Sequence, residues 1–493
     1  MLSRRLSIYV SIIVLLFGAL GCHQGGEEGL PPEVALSGDR IFQLELGSSV
    51  TIAPSFSHLT EKAIVRWILD DTVVGHAQSF TFFADAVGVH YLTVEVTTAF
   101  GTAFLEMRID VTDPGPEPPV PPTPAADSVK VGFERSEYHV ALGRTIRLLP
   151  LDVDSTRAYT FVWQRDGAVV QQGSEALYRF EALAQGRFEV LFRMEHDGRT
   201  VAEDTLTVVV CPAEGAYRRP AGPASSARCS KVHEFLPAPG QYVNENYTAT
   251  TMEEACAYAD RRMKDSVYVS LGGFGGSLVV GFDHSVEAGG DYDFAIRNSL
   301  YTNYSEPGIV WVMQDEDGNG LPDDTWYELK GSEYGLECTV QDYAVTYYRP
   351  QAPGQPVAWT DNLGGSGSVD YMTAYHHQDY YYPLWVKEDS YTLRGTRLEA
   401  RNYDSSGRGV LWINPDYGWG YADNYSEIDI LATGPTAGCN HFRISDAVTF
   451  DGKPAKLQYI DFVKIQTGLN TKSGWLGEVS TEVMDVIDCH LAR

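Results

Sequence analysis

Residues 67–111, WILDDTVVGHAQSFTFFADAVGVHYLTVEVTTAFGTAFLEMRIDV, are followed at 163–210 by WQRDGAVVQQGSEALYRFEALAQGRFEVLFRMEHDGRTVAEDTLTVVV. Each stretch opens on a Trp, turns, runs to a Gly (Gly88, Gly186) and closes with two alternating segments such as Tyr91-Leu92-Thr93-Val94-Glu95-Val96. Apolar residues at every second position, β-branched enrichment and closely spaced turns predict antiparallel sheet rather than helix. Between the two copies, residues 114–127 begin PGPEPPVPPTPA, a run whose fixed φ and missing amide donors keep it extended and semi-rigid. The repeat therefore predicts two β modules, 32–113 and 128–211.

On these phrases the two modules resemble PKD or immunoglobulin-like β-sandwiches of about 85 residues, with Trp67 and Trp163 as core residues against the facing sheet. The resemblance implies spacer domains, and no site is assigned to either.

The N-terminus has Arg4 and Arg5, an apolar run from Leu6 to Leu20, then Ala19-Leu20-Gly21 before Cys22. The run is too short to cross a bilayer, which takes roughly 20 apolar residues, and reads as a signal peptide over 1–21. Cys22 is the expected lipidation site, although Ala19 stands where a strict lipobox has Leu. Residues 22–31 form a polar, acidic tether that resembles the surface-export tags of lipoproteins in Gram-negative gut anaerobes. The expected location is the outer membrane, lipid-anchored and exposed at the cell surface.

A formal net charge of −29 argues against nucleic acid as a partner, because a phosphate backbone would be repelled. Of seven cysteines, six remain after Cys22, and Cys211 and Cys229, flanking a loop-like stretch, are expected to pair. Residues 212–230 read as a second linker.

The remainder, 231–493, carries one good helix signal at 251–262, with Thr250 or Thr251 as cap and Glu253-Glu254 at the positive end. Short strands such as GIVWVM and QYIDFVKIQT, separated by Gly, Asn and Asp, predict a larger jelly-roll-like β-sandwich. The fold class is thus mainly β: two immunoglobulin/PKD-like sandwiches followed by this larger domain.

Two segments of the large domain invite chemistry. Asp315, Asp317, Asn319 and Asp323 place oxygens at positions 1, 3, 5 and 9 of a loop with Gly320 at the turn, a spacing suited to a structural calcium ion. Trp326 at position 12 departs from that pattern, and an acidic hairpin turn fits the same residues. The second segment is aromatic: Tyr375, His376, Tyr380, Tyr381 and Trp385, then Trp412, Tyr417, Trp419 and Tyr421, with Asp423 and Asn424 among them. Rings with polar tips on glycine-bearing loops suit a ligand with flat apolar faces rimmed by amides or hydroxyls, which describes both sugars and corrin macrocycles. No GxSxG elbow, HExxH or phosphate loop occurs, and an enzyme is not expected.

The phrases YVSLGGFGGSLVVGFDH (268–284), EPGIVWVMQDEDGNGLPDDTWYELKGSEY (306–334), YYYPLW (380–385), WGYADN (419–424) and YIDFVKIQTGLNTKSGWLGEVSTEV (459–483) resemble the C-terminal domain of PKD-containing cell-surface lipoproteins. Members of that group resemble corrinoid-binding surface lipoproteins that accompany TonB-dependent vitamin B12 transporters. The resemblance implies a non-enzymatic protein that holds cobalamin, as bound ligand rather than cofactor, for handover to such a transporter. A glycan-binding lipoprotein of a polysaccharide-uptake system is the alternative that the same rings allow.

Overall fold

The computed structural model describes residues 30–36, 40–60, 62–112, 131–151, 153, 157–372 and 375–492. Cys22, nearly all of the tether and the proline-rich run lie outside the described residues. The chain divides into two compact units, Met1–Asp113 and Pro114–Arg493.

In the first unit a five-stranded sheet has Ile41–Glu45 parallel to the end of Gly101–Thr112, which pairs with Gly88–Thr98, then Ile64–Leu69 and Thr72–Gly75. Alternation decides what is buried. Leu92, Val94 and Val96 face inward with Leu105, Met107, Ile109 and Trp67, whose indole N–H donates to Ala77 O at 2.8 Å. The repeat is reproduced in the second sandwich: Glu137–Ala141 runs parallel to Thr207–Cys211, and Gly186–His196 and Thr160–Arg165 follow in the same order. Both hairpins after the Trp turn on two residues with positive φ, Asp70-Asp71 and Asp166-Gly167, the twist-matched geometry of a two-residue β-turn. The register slips by one residue immediately after each Trp.

The second sandwich belongs to the same compact unit as the large domain. Residues 212–230 are not a free linker. Arg219 donates to Phe282 O at 3.0 Å and pairs with the buried Asp461 at 2.9 Å, Arg218 pairs with Glu287 at 2.7 Å, and Cys229 N donates to Val486 O, so the segment is strapped across the sheet. Polar, turn-prone composition marked it as irregular, but its arginines find carboxylates on the sheet. Cys211 and Cys229 do not pair, and all six described cysteines are free thiols.

The large domain is built on a six-stranded antiparallel sheet ordered Lys231–Leu236, Ser277–Glu287, Tyr459–Thr467, Gly308–Met313, Trp326–Leu329 and Ala447–Val448. A four-stranded sheet (Ser366–Val369, Val357–Asp361, Val340–Tyr348, Ser390–Arg397) shares its core through Val345, Tyr347 and Leu393. The helix runs Met252–Lys264, capped by Thr251, whose hydroxyl accepts from Glu254 N while the Glu254 carboxylate accepts from Thr250 N at 2.7 Å. Its Ala255, Ala259 and Met263 join the same core.

The strand Gly308–Met313 shows why this domain is rich in rings. Val310 and Val312 point into the main core, whereas Ile309 and Trp311 point the other way, into a smaller core made with Tyr417, Tyr421, Leu398, Leu469 and Val479. A sheet apolar on both faces needs cover on both.

Candidate functional site

Half of the eight Tyr and Trp residues singled out from the sequence, Tyr381, Trp385, Tyr417 and Tyr421, belong to the interior. Tyr381 and Tyr382 are fully buried in the main core, their hydroxyls donating to His376 O and Glu388 O at 3.0 Å each. Trp385 lies against Phe235 and Tyr247. Tyr417 donates to Glu399 O at 2.6 Å under the Arg401 guanidinium, and the Tyr421 hydroxyl accepts from Glu333 N at 2.9 Å. Asn424 is fully buried, binding both main-chain groups of Tyr417. Asp423 accepts from Glu482 N at 2.8 Å, and burial together with the neighbouring Glu482 carboxylate raises its pKa well above the ordinary range. These seven residues hold the domain together, because the second face of the sheet and the loops over it consume the rings. Tyr380 is half-buried, and its carbonyl accepts from Asn244. His376 is tied to Glu245 at 2.6 Å and packs on Tyr242.

What stays open is a different set. Tyr375 is 61% exposed and Trp475 42%, with ring centroids 6.3 Å apart and planes at 48°. Trp475 donates its indole N–H to Val410 O at 2.9 Å, which brings the exposed Val410 and Leu411 alongside, and Tyr403, also exposed, pairs with Ile413 on the same short hairpin. The hairpin loop is cross-linked by hydrogen bonds to Asp404. Desolvation pushes the Asp404 pKa up, but hydrogen bonds from Ser406, Gly409 and Leu411 outweigh it and hold the carboxyl down to about 2. Below the surface Trp412 lies on Gly474, where a Cβ would stand 2.2 Å from its Nε1, so the 474 position admits only glycine. Gly474 also has φ +54, unfavourable for side chains.

The patch therefore joins two sequence-predicted residues, Tyr375 and Trp412, to Trp475, Tyr403, Val410 and Leu411, which the sequence reading missed. A signal was present: Trp475 sits in SGWLG, flanked by glycines and away from any alternating run. At its edge Lys472 pairs with Asp370 at 2.6 Å.

Trp419 is separate. It lines a cavity of about 100 Å³ with Tyr292, Lys330, Asp429, His441 and Arg443. That space is too small for a macrocycle.

The calcium reading divides similarly. Asp315 is spent inside its own loop, accepting from Gly318 N at 2.9 Å and Gly320 N at 3.1 Å. Asn319 presents its amide N–H to Asp317 and Asp323, and its oxygen accepts from Leu321 N. Asp317 and Asp323 instead gather with Asp324 and with His139 of the second sandwich, offering ligand atoms all within 4.8 Å of one another.

Among solved structures the chain is similar to the fibronectin(III)-like modules of Clostridium thermocellum CbhA (15% identity over 39% of this chain and 100% of that one, TM-score 0.17). It is also similar to titin domains z1z2 in complex with telethonin (17%, 37% and 98%, TM-score 0.15) and to the N-terminal four Ig domains of Dscam1 isoform 8.4 (17%, 37% and 47%, TM-score 0.14). These likenesses concern the β-sandwich fold alone. No protein-family model and no curated protein matches the chain.

Proposed function

We propose that this is a non-enzymatic lipoprotein of the outer-membrane surface that captures a corrinoid on the Tyr375–Trp475 patch and delivers it to a TonB-dependent transporter. The observation that carries the reading is the pairing of two exposed rings, Tyr375 and Trp475, in a domain whose other Tyr, Trp and Phe rings, Tyr301, Tyr304 and Tyr403 apart, are buried or half-buried. An exposed indole and phenol beside Val410 and Leu411 offer apolar area that the fold itself leaves uncovered, the condition for an anchor in a binding surface. A corrinoid is broad, nearly neutral and fringed with amides, so it needs a wide patch with polar tips rather than a deep pit. The acidic surface disfavours a polyanion and is indifferent to such a ligand. Residues 265–488 resemble the C-terminal domain of PKD-containing cell-surface lipoproteins, members of which resemble corrinoid-binding ones, and that likeness supplies the ligand class.

Calorimetry with cyanocobalamin, and co-elution of the coloured ligand with the protein on gel filtration, test the reading. Saturable one-to-one binding is expected. A protein that stays colourless and instead binds members of a glycan panel belongs to polysaccharide uptake, and the corrinoid assignment is then wrong.

A further inference from the structure

The second sandwich and the large domain meet where the loop 315–325 docks on the strand Glu137–Ala141. Thr325 donates its hydroxyl to His139 O at 3.0 Å, Arg135 reaches Asp323 O, and Ala141 N donates to the Glu316 carboxylate at 2.8 Å. Inside this seam His139 Nδ1 stands 3.2 Å from Asp317 Oδ2 and 3.4 Å from Asp324 Oδ1. The Asp324 side chain is fully buried; its Oδ2 accepts from Glu316 N, but its Oδ1 accepts no hydrogen bond, and neither does His139 Nδ1 make one. Two buried polar atoms thus face each other without satisfying each other, an arrangement that costs free energy unless something stands between them.

The other face of the imidazole says what that is. His139 Nε2 lies 3.1 Å from Glu137 Oε1, and Glu137 is itself held by Arg187 at 2.5 Å. With Nε2–H donating to that carboxylate, a neutral ring presents Nδ1 to the three aspartates as a lone pair; without a cation, a proton at Nδ1 is the other way to satisfy them. A metal-ligating histidine commonly donates its second N–H to a carboxylate in this way. Four ligand atoms within 4.8 Å of one another, one of them the unpartnered Oδ1 of a buried carboxylate, can be satisfied by a cation. A nitrogen among them favours a first-row transition ion over calcium, which takes hard oxygens.

We propose that His139 Nδ1, Asp317, Asp323 and Asp324 bind one divalent first-row transition ion of the manganese or zinc type, which pins the second sandwich to the large domain. The ion draws ligands from residues far apart in the chain, 139 and 317–324, so its binding free energy stabilises the seam rather than the loop alone. Asp315, whose two oxygens accept from Gly318 N and Gly320 N, and Asn319, whose oxygen accepts from Leu321 N, lie outside this group of four.

The test is thermal unfolding and calorimetry of the full chain after chelation, with manganese, zinc or calcium chloride added back. One manganese or zinc ion per chain and an upward shift of the transition are expected, with calcium binding more weakly. His139→Gln should lower the affinity by about 100-fold, and Glu137→Gln, which leaves every ligand in place, by about 10-fold. Asp323→Asn, a partly exposed position, should lose the metal-induced shift of the transition, and it serves if His139→Gln does not fold. No shift with any of the three ions overturns the proposal, the buried atoms then being satisfied by a protonated imidazole. Tighter binding of calcium, or a metal response undiminished in His139→Gln or Asp323→Asn, overturns it equally.

Discussion

Replacing Trp475 by Ala separates a ring that awaits a ligand from one that fills the interior. A Trp side chain offers roughly 250 Å². With 42% of Trp475 open, about 100 Å² of indole is available for a ligand to cover, and at ~25 cal/mol per Å² that contact contributes up to about 2.5 kcal/mol, or roughly 60-fold in Kd. The hydrogen bond to Val410 O sits at the surface, so its loss should change stability by no more than about 1 kcal/mol. Trp385 is the control. It is 8% exposed and packed on Phe235 and Tyr247, and its truncation should cost about 3–5 kcal/mol of stability. Calorimetry with cyanocobalamin and chemical unfolding of both variants read the two effects. A Trp475→Ala protein that binds cyanocobalamin as tightly as the parent would remove the patch from the binding site.

Gly474→Ala should both strain a positive φ and drive Trp412 from its seat, reducing stability by about 1–3 kcal/mol and weakening ligand binding together; an unchanged melting temperature would show that the Trp412 contact is not tight. Glu478 is buried with its Oε1 accepting from Gln241 N and its Oε2 unpartnered, and burial pushes its pKa to about 8. The folded chain therefore holds a proton that the unfolded chain releases near 4.5, and stability should fall as pH rises from about 4.5 to 8. Glu478→Gln should flatten that slope and gain about 2–4 kcal/mol at pH 8 relative to the parent, whereas parallel pH profiles of urea midpoints would contradict the assignment. Arg219→Ala leaves the fully buried Asp461 carboxylate, which also accepts from Ser285 Oγ and Asp315 N, without its cation. A loss of about 2–4 kcal/mol is expected, and early proteolysis within 212–230 reports release of the strap; resistance equal to the parent's would return that segment to the status of a linker.

Local rules made the two small sandwiches legible. The period-two alternation through Leu92-Val94-Val96 and Val190-Phe192-Met194, the Trp that opens each copy and the Asp70-Asp71 and Asp166-Gly167 turns are interactions between residues close in the chain, so the string of letters carries them. A cap at Thr250 or Thr251 with Glu253-Glu254 in the first turn was readable for the same reason, and the structure uses Thr251. The strand GIVWVM was read only as one short strand of a sandwich; that its sheet is covered on both faces came from the structure, where Val310 and Val312 face one core and Ile309 and Trp311 another.

Which rings that sheet would consume was a tertiary matter. Tyr417 and Tyr421 close over Ile309 and Trp311 from more than a hundred positions away, and Tyr381, Tyr382 and Trp385 fill a core shared by two sheets, so their burial depends on packing that no local pattern encodes. The open patch forms only where Tyr375, the 403–413 hairpin and Trp475 come together. The same holds for His139, whose only local feature is a place in a strand, and which becomes chemically distinctive when the loop at 315–325 folds its aspartates against it. Sequence alone determined the modules and their order, because alternation and turns act over a few residues. Tertiary structure decided which side chains remain free to meet another molecule, because exposure is what is left after distant segments have covered one another.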